Sequence, residues 1–164
     1  MEKIRMTLDK LLELVCSAIF VVMIATVLYQ IFTRTVLNNP NTLTEEFVRF
    51  GLVWLSMLAL AYVVGKRSHM SVTLLSDNLN EANQRKLEIV VQVLFLIFAA
   101  VIMVYGGWKA MSVTMGQISP SLSLPMGYVY LAVPVAGGFM FIYSLLNLLQ
   151  GKELNENAEE SGGM

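Results

Sequence analysis

Hydrophobic positions along the chain fall in four uninterrupted runs. Residues 14–33, 50–65, 89–108 and 126–150 contain no Asp, Glu, Lys or Arg. Roughly 20 apolar residues, rising about 1.5 Å each, cross a hydrocarbon core of about 30 Å, so the first, third and fourth runs each predict a membrane-spanning helix. The second run is too short alone, and the deficit is made up on its N-terminal side. Asn39-Pro40 marks a turn, and Thr42 followed three residues later by Glu45 has the form of a capping box. A helix is therefore predicted to begin near Leu43 and to measure roughly 34 Å by Gly65, with its first turn or two in the headgroup zone. The predicted fold is all-α and integral to the membrane: four transmembrane helices, with an interfacial extension before helix 2.

The segments between the runs are less apolar. Between helices 2 and 3, Ser76 or Asp77 can cap a short amphipathic segment with Leu79, Ala82 and Leu87 near one face, lying on the inner surface. Residues 1–150 are expected to form one membrane domain. Residues 151–164, GKELNENAEESGGM, are acidic and polar and are predicted to be a disordered cytoplasmic tail. No internal repeat is visible, and the first pair of helices does not mirror the second as an inverted-repeat transporter requires.

Composition agrees with the pattern. Of 164 residues, 56% are hydrophobic and 14% charged, with a net charge of −1 and a mean hydropathy of +0.65, too apolar for a soluble domain of this size. Four spans put both termini on one side. That side carries Lys3, Arg5, Lys10, Lys66, Arg67, Arg85, Lys86 and Lys152, against Arg34, Arg49 and Lys109 on the other, which predicts cytoplasmic termini. Trp108, Tyr128 and Tyr130 suit an outer aromatic belt. The first run is too long for a typical signal-peptide core and no A-x-A site closes it, so cleavage is not expected. Cys16, near its start, is expected to be a buried core thiol.

Three clusters are candidates for more than spanning. In TEEFVRFGLVW, residues 44–54, Glu45 and Arg49 are i,i+4 neighbours and Glu46 and Arg49 are i,i+3 neighbours, so the charges can partly neutralise each other. Glu45 can be a plain cap. Arg49 lies deeper, where a lipid-facing cation costs about 2.5–3.5 kcal/mol, so it must snorkel or face protein. In GKRSHM, residues 65–70, Lys66 and Arg67 close the second span as topology alone requires, and His69 either bonds a loop carbonyl or headgroup or acts as a switch. In SPSLSLPMGYVYLAVP, residues 119–134, Pro120 and Pro125 bracket a stiff extended turn, which is either a turn conformer or a rigid contact for a partner. Pro134 is expected to kink or loosen the fourth span.

The inventory narrows the chemistry. One Cys and one His cannot build a four-ligand zinc centre, a haem site with paired histidines or a dithiol relay. No Gly-rich phosphate loop is present, and Gly106-Gly107 and Gly137-Gly138 lie in apolar helices, where close helix packing is the expected use. No credible nucleophile has a positioned base, which leaves a membrane enzyme as the weakest reading, and no cofactor or metal is expected. Mid-span positions offer only Thr26, Ser56, Gln92 and similar weak polar groups, so the chain is not expected to transport a solute alone.

The order E-E-x-x-R ahead of an apolar span containing Trp54, then G-K-R-S-H-M, then S-P-S-L-S-L-P and Pro134, resembles the small membrane subunit of tripartite ATP-independent periplasmic (TRAP) transporters. The resemblance covers roughly residues 11–149. It implies a bacterial inner-membrane protein, working with a large multi-span membrane subunit and a periplasmic substrate-binding protein to import organic acids such as sialic acid or C4-dicarboxylates on a sodium gradient. It also implies that substrate and sodium sites lie in the large subunit, which works as an elevator. A static scaffold would suit the small subunit, with Glu45, Glu46, Arg49, Trp54, Lys66, Arg67, His69, Pro120 and Pro125 as anchoring or partner-facing residues. The expected partners are those two proteins and membrane lipids, not nucleic acid. The rival reading is a free-standing four-helix membrane protein that organises or senses.

Overall fold

The computed structural model describes residues 2–39, 41–66 and 81–162. Helix α1 (Glu2–Thr35) and helix α2 (Thr42–Lys66) form the first two spans. Helix α3 (Glu81–Ile97), a π-helical stretch (Phe98–Gly106) and helix α4 (Gly107–Thr114) run on as one rod that supplies the third. A short helix α5 (Gly127–Tyr130) and helix α6 (Ala132–Gly162) make the fourth. Among the described residues, four stretches are long and apolar enough to cross a membrane: Arg5–Thr35, Thr42–Lys66, Ile89–Thr114 and Gly127–Leu149. The chain is thus all-α, and the one β-type pairing among the described residues is the bridge between Ile118 and Pro125.

Several local expectations need adjusting. The cap of α2 is Asn41, one residue before the predicted Thr42: its side-chain oxygen accepts the Leu43 N–H at 3.0 Å, while its carbonyl accepts the Thr44 hydroxyl at 2.8 Å. Asn is among the strongest cap formers because its short carbonyl reaches the second or third amide of the first turn. The fourth span breaks at Leu131. Pro134 has no N–H for the Tyr130 carbonyl, which leaves the ladder one bond short there. The loop over residues 117–126 is a tight hairpin and not an extended turn: the Ser119 N–H donates to the Leu124 carbonyl at 2.9 Å, the Met126 N–H to the Gln117 carbonyl at 2.8 Å, and Ser123 adopts a left-handed φ of 53°. From Glu81 the chain is helix running into the third span, so Ala82 and Leu87 share that rod, whereas Ser76, Asp77 and Leu79 lie outside the described residues. Backbone helix also continues through residues 151–162, where the composition predicts a disordered tail. Adding a residue to an existing helix costs far less than nucleating one.

The fourth span is the centre of the bundle. Half of its apolar window is buried within the protein, against 6% for the first span, which leaves α1 peripheral. Ala61, Ala99, Met103, Ala136 and Met140 knit α2, the third span and α6 together. Leu12, Leu58 and Tyr143 join α1, α2 and α6, with Cys16 and Trp54 half-buried against them. Lipid tails are as apolar as these side chains, so association rests on close packing and hydrogen bonds more than on apolar burial.

Small residues permit that packing. A Cβ on Gly137 would lie 2.6 Å from the Met103 Cβ, and one on Gly107 would lie 2.9 Å from the Pro134 ring. One glycine of each predicted pair therefore serves the crossing of the third and fourth spans, while Gly138 faces open space. Gly137→Leu is expected to cost about 1–3 kcal/mol, the usual penalty for overpacking. Heat denaturation of the purified protein in detergent reads it, and an unchanged midpoint would count against this crossing.

Candidate functional site

Polar side chains within the spans are of two kinds: Thr26 and Ser56 are satisfied within their own helices, whereas in the fourth span the Ser144 hydroxyl and the Asn147 amide nitrogen are buried without a hydrogen-bond partner. The Thr26 hydroxyl donates to the Val22 carbonyl at 2.8 Å and the Ser56 hydroxyl to the Leu52 carbonyl at 2.7 Å. Charged groups instead collect at the two ends of the bundle, where α2 begins and where it ends.

At the first end, the three charges of residues 45–49 divide into two kinds. Glu45 and Arg49 make the expected i,i+4 pair at 3.4 Å, but their side chains remain 61% and 68% exposed. Such an exposed pair contributes about 0–1 kcal/mol. Glu46 is 7% exposed, and one carboxylate oxygen accepts two backbone N–H groups, from Ser121 at 3.0 Å and Leu122 at 2.7 Å. Hydrogen bonds to a charged acceptor contribute about 1.5–3 kcal/mol each. These donors sit between Pro120, which is exposed, and Pro125, which is half-buried. The Glu-Glu-Arg cluster and the proline loop, separate motifs in the sequence, thus meet as one structure.

The loop held by Glu46 roofs an apolar groove of about 430 Å³ between α1 and α2. Phe47, Phe50 and Trp54 line its α2 wall, and Leu122, Leu124 and Pro125 close its top. Trp54 therefore serves two surfaces, the groove and the packing against the Leu58 cluster. Trp108, Tyr128 and Tyr130 are exposed, as an aromatic belt requires.

A second polar cluster ties the other ends of α1, α2 and α6. The Tyr143 hydroxyl donates to Asp9 at 2.6 Å, and the Arg5 guanidinium donates to the Gly65 carbonyl at 3.0 Å. The Tyr62 hydroxyl and the Lys66 ammonium both donate to Glu13, Lys66 at 3.2 Å, and Lys66 stands 4.6 Å from the centre of the Tyr62 ring. Of the anticipated residues only Lys66 belongs here, since Arg67 and His69 lie outside the described residues. Arg5, Asp9, Glu13, Tyr62 and Tyr143 were not singled out from the sequence. A signal was present: Arg5, Asp9 and Glu13 recur every fourth residue and so share one face of α1.

Known proteins resemble the chain over most of its length. The sequence profile of the family described as tripartite ATP-independent periplasmic transporters, DctQ component, matches residues 23–153. A TRAP transporter small permease protein of Haemophilus influenzae is 28% identical over 130 residues, covering 79% of this chain and 80% of the relative. The sialic acid TRAP transporter small permease protein SiaQ of Vibrio cholerae is 24% identical over 157 residues, covering 92% of this chain and 90% of the relative. The isethionate TRAP transporter permease protein DctMQ of Oleidesulfovibrio alaskensis is 36% identical over 110 residues, covering 64% of this chain but 17% of that longer protein. The matched residues run from the first span through the fourth and include both the Glu46 carboxylate and the loop it holds, and the chain belongs to the DctQ component family of TRAP transporters, as a multi-pass small permease subunit of the inner membrane.

Proposed function

We propose that this subunit braces the large membrane subunit of a sodium-driven importer of organic acids and carries no substrate itself. The observation that supports this reading is the distribution of polarity. Thr26 and Ser56 close their hydroxyls onto their own helices, and charge gathers at the two bundle ends, where it fixes depth and register. A solute path would need polar or ionisable groups facing a cavity at mid-membrane. The small-subunit sequence also occurs as 17% of the longer relative DctMQ, which supports association with a large membrane partner. The relatives' names, one for sialic acid and one for isethionate, support an organic acid as the cargo. The excess of Lys and Arg on the side of both termini supports cytoplasmic ends. On that placement the Glu46 end is periplasmic, Lys66, Arg67 and His69 face the cytoplasm, and residues 151–164 form a tail outside the membrane domain.

Co-expression tests the brace directly. Purification through a tag on this chain is expected to recover the large subunit in about equal amount, and vesicles holding this chain alone are expected to take up no solute. Solute accumulation by those vesicles under a sodium gradient would overturn the reading.

Two substitutions probe the proposed contacts. Arg49 is largely exposed and only loosely held by Glu45, so it remains available to a partner carboxylate. Arg49→Glu is expected to reduce recovery of the large subunit about tenfold, the effect of losing roughly 1.4 kcal/mol of binding. Equal recovery would remove Arg49 from the interface. At the loop, Pro120→Ala with Pro125→Ala is expected to slow uptake by the assembled transporter several-fold, because a stiff face loses less entropy on docking with the large subunit or the substrate-binding protein. Uptake at the parental rate, with assembly intact, would mean that the prolines serve only the turn.

A further inference from the structure

We propose that a polar cup at the junction of the first two spans binds the headgroup of a membrane phospholipid, its phosphodiester on Arg34 and a primary ammonium, where the headgroup carries one, on Glu45. The cup has a volume of about 380 Å³ and is lined by Gln30, Arg34, Asn38, Asn41, Thr42 and Glu45.

Its position sets the class of ligand. The first span ends at Thr35 and the second begins at Thr42, so the cup lies where hydrocarbon gives way to headgroups. Its walls are held in shape by the backbone: the Val36 N–H donates to the Phe32 carbonyl at 2.8 Å and the Asn39 N–H to the Thr33 carbonyl at 3.2 Å, with Asn38 left-handed at a φ of 48°.

Its donors set the chemistry. The ion pairs among the described residues, Glu45 with Arg49 and Glu13 with Lys66, leave the Arg34 guanidinium without a carboxylate. The Asn41 side-chain oxygen accepts the Leu43 N–H, which leaves its NH₂ as the donor end facing the cup. Gln30 and Asn38 add further amide donors. A planar guanidinium among amides matches two oxygens of a phosphate. On the rim, the Glu45 carboxylate meets Arg49 at 3.4 Å while 61% exposed, so it has acceptor capacity left for an ammonium. A cation and an anion on one cup complement a zwitterionic phosphoethanolamine better than an anionic phosphoglycerol. This inference requires only that the chain spans a membrane and does not rest on the bracing role.

Native mass spectrometry of the purified subunit, titrated with dioleoylphosphatidylethanolamine or dioleoylphosphatidylglycerol, tests it. Arg34→Ala is expected to weaken retention of both lipids about tenfold, the loss of one charge-assisted contact. Glu45→Gln is expected to abolish the preference for the ethanolamine lipid while leaving phosphoglycerol binding intact. Lys109→Ala, at an exposed cation in α4 outside the cup, is expected to change neither. Wild-type retention by Arg34→Ala, or an equal loss on Lys109→Ala, would overturn the site. Unchanged lipid retention together with loss of a co-purified protein on Arg34→Ala would assign the cup to a protein carboxylate and equally overturn it.

Discussion

Replacing Glu46 by Ala is expected to free the 117–126 loop from α2 and to destabilise the subunit by about 2–4 kcal/mol. The figure is the sum of two hydrogen bonds to a charged acceptor, at about 1.5–3 kcal/mol each, reduced because water at the membrane boundary can reach the released amides. Glu46 is buried and receives both the Ser121 and the Leu122 N–H, so a single side chain holds the loop over the α1–α2 groove. The most direct readout is amide hydrogen exchange. Ser121 and Leu122 are expected to lose protection by a factor of roughly 30–1,000, which is the same free energy expressed as an opening equilibrium. Glu46→Gln keeps one acceptor oxygen without the charge and is expected to fall between the two. If both amides exchange at the parental rate in Glu46→Ala, the loop is held by something other than this carboxylate. The neighbouring Glu45→Ala removes only an exposed pair and is expected to change stability by less than about 1 kcal/mol.

A comparable loss is expected at the opposite end of the bundle from Gly65→Ala. A Cβ there would lie 2.7–2.9 Å from three carbons of the Tyr143 ring, the ring's rigid body and not the far end of a flexible chain. Tyr143 is fully buried and its hydroxyl is held by Asp9 at 2.6 Å. A ring that shifts to make room strains the hydroxyl's hydrogen bond to Asp9, so the substitution combines overpacking, at about 1–3 kcal/mol, with weakening of a charge-assisted hydrogen bond of about 1.5–3 kcal/mol. We expect a total of about 3–5 kcal/mol, visible as a lowered unfolding midpoint in detergent. Tyr143→Phe removes the hydrogen bond alone and should cost the smaller share. The two changes act on one contact, so the double variant is expected to lose clearly less than the sum of the singles. Strict additivity would show that Gly65 and Tyr143 act independently.

These two contacts show how far the candidate site could be read from residue order. Glu45, Glu46 and Arg49 were visible as charges beside an apolar run, and their spacing identified the Glu45–Arg49 pair. The same spacing made Glu46 an equal candidate for Arg49, because neighbours on a helix face are all that a one-dimensional pattern can reveal. Its true partners lie 75 and 76 residues away in a loop. The capping residue was misplaced by one position for a related reason. Asn41 and Thr42 are both good caps, and only the path of the chain out of the 36–41 turn decides which carbonyl oxygen reaches the Leu43 amide.

What residue order determined by itself was the architecture: four membrane-spanning helices, the start of the second near Leu43, and the use of the Gly106-Gly107 and Gly137-Gly138 pairs for close helix packing, while the full reach of the first, third and fourth helices and the glycine of each pair at the crossing came from the structure. Solvent enforces these choices locally, because inside a hydrocarbon layer every backbone amide must be paired within its own segment. Which span became the centre was left to the tertiary structure, as was the pairing of Glu46 with the distant loop and of Asp9 with Tyr143. All four runs are apolar on every side, so no hydrophobic face marks an interior, and packing against neighbours selects it. Polar contacts between spans follow from that selection, since a carboxylate near the membrane boundary takes whichever donors the packed helices bring to it.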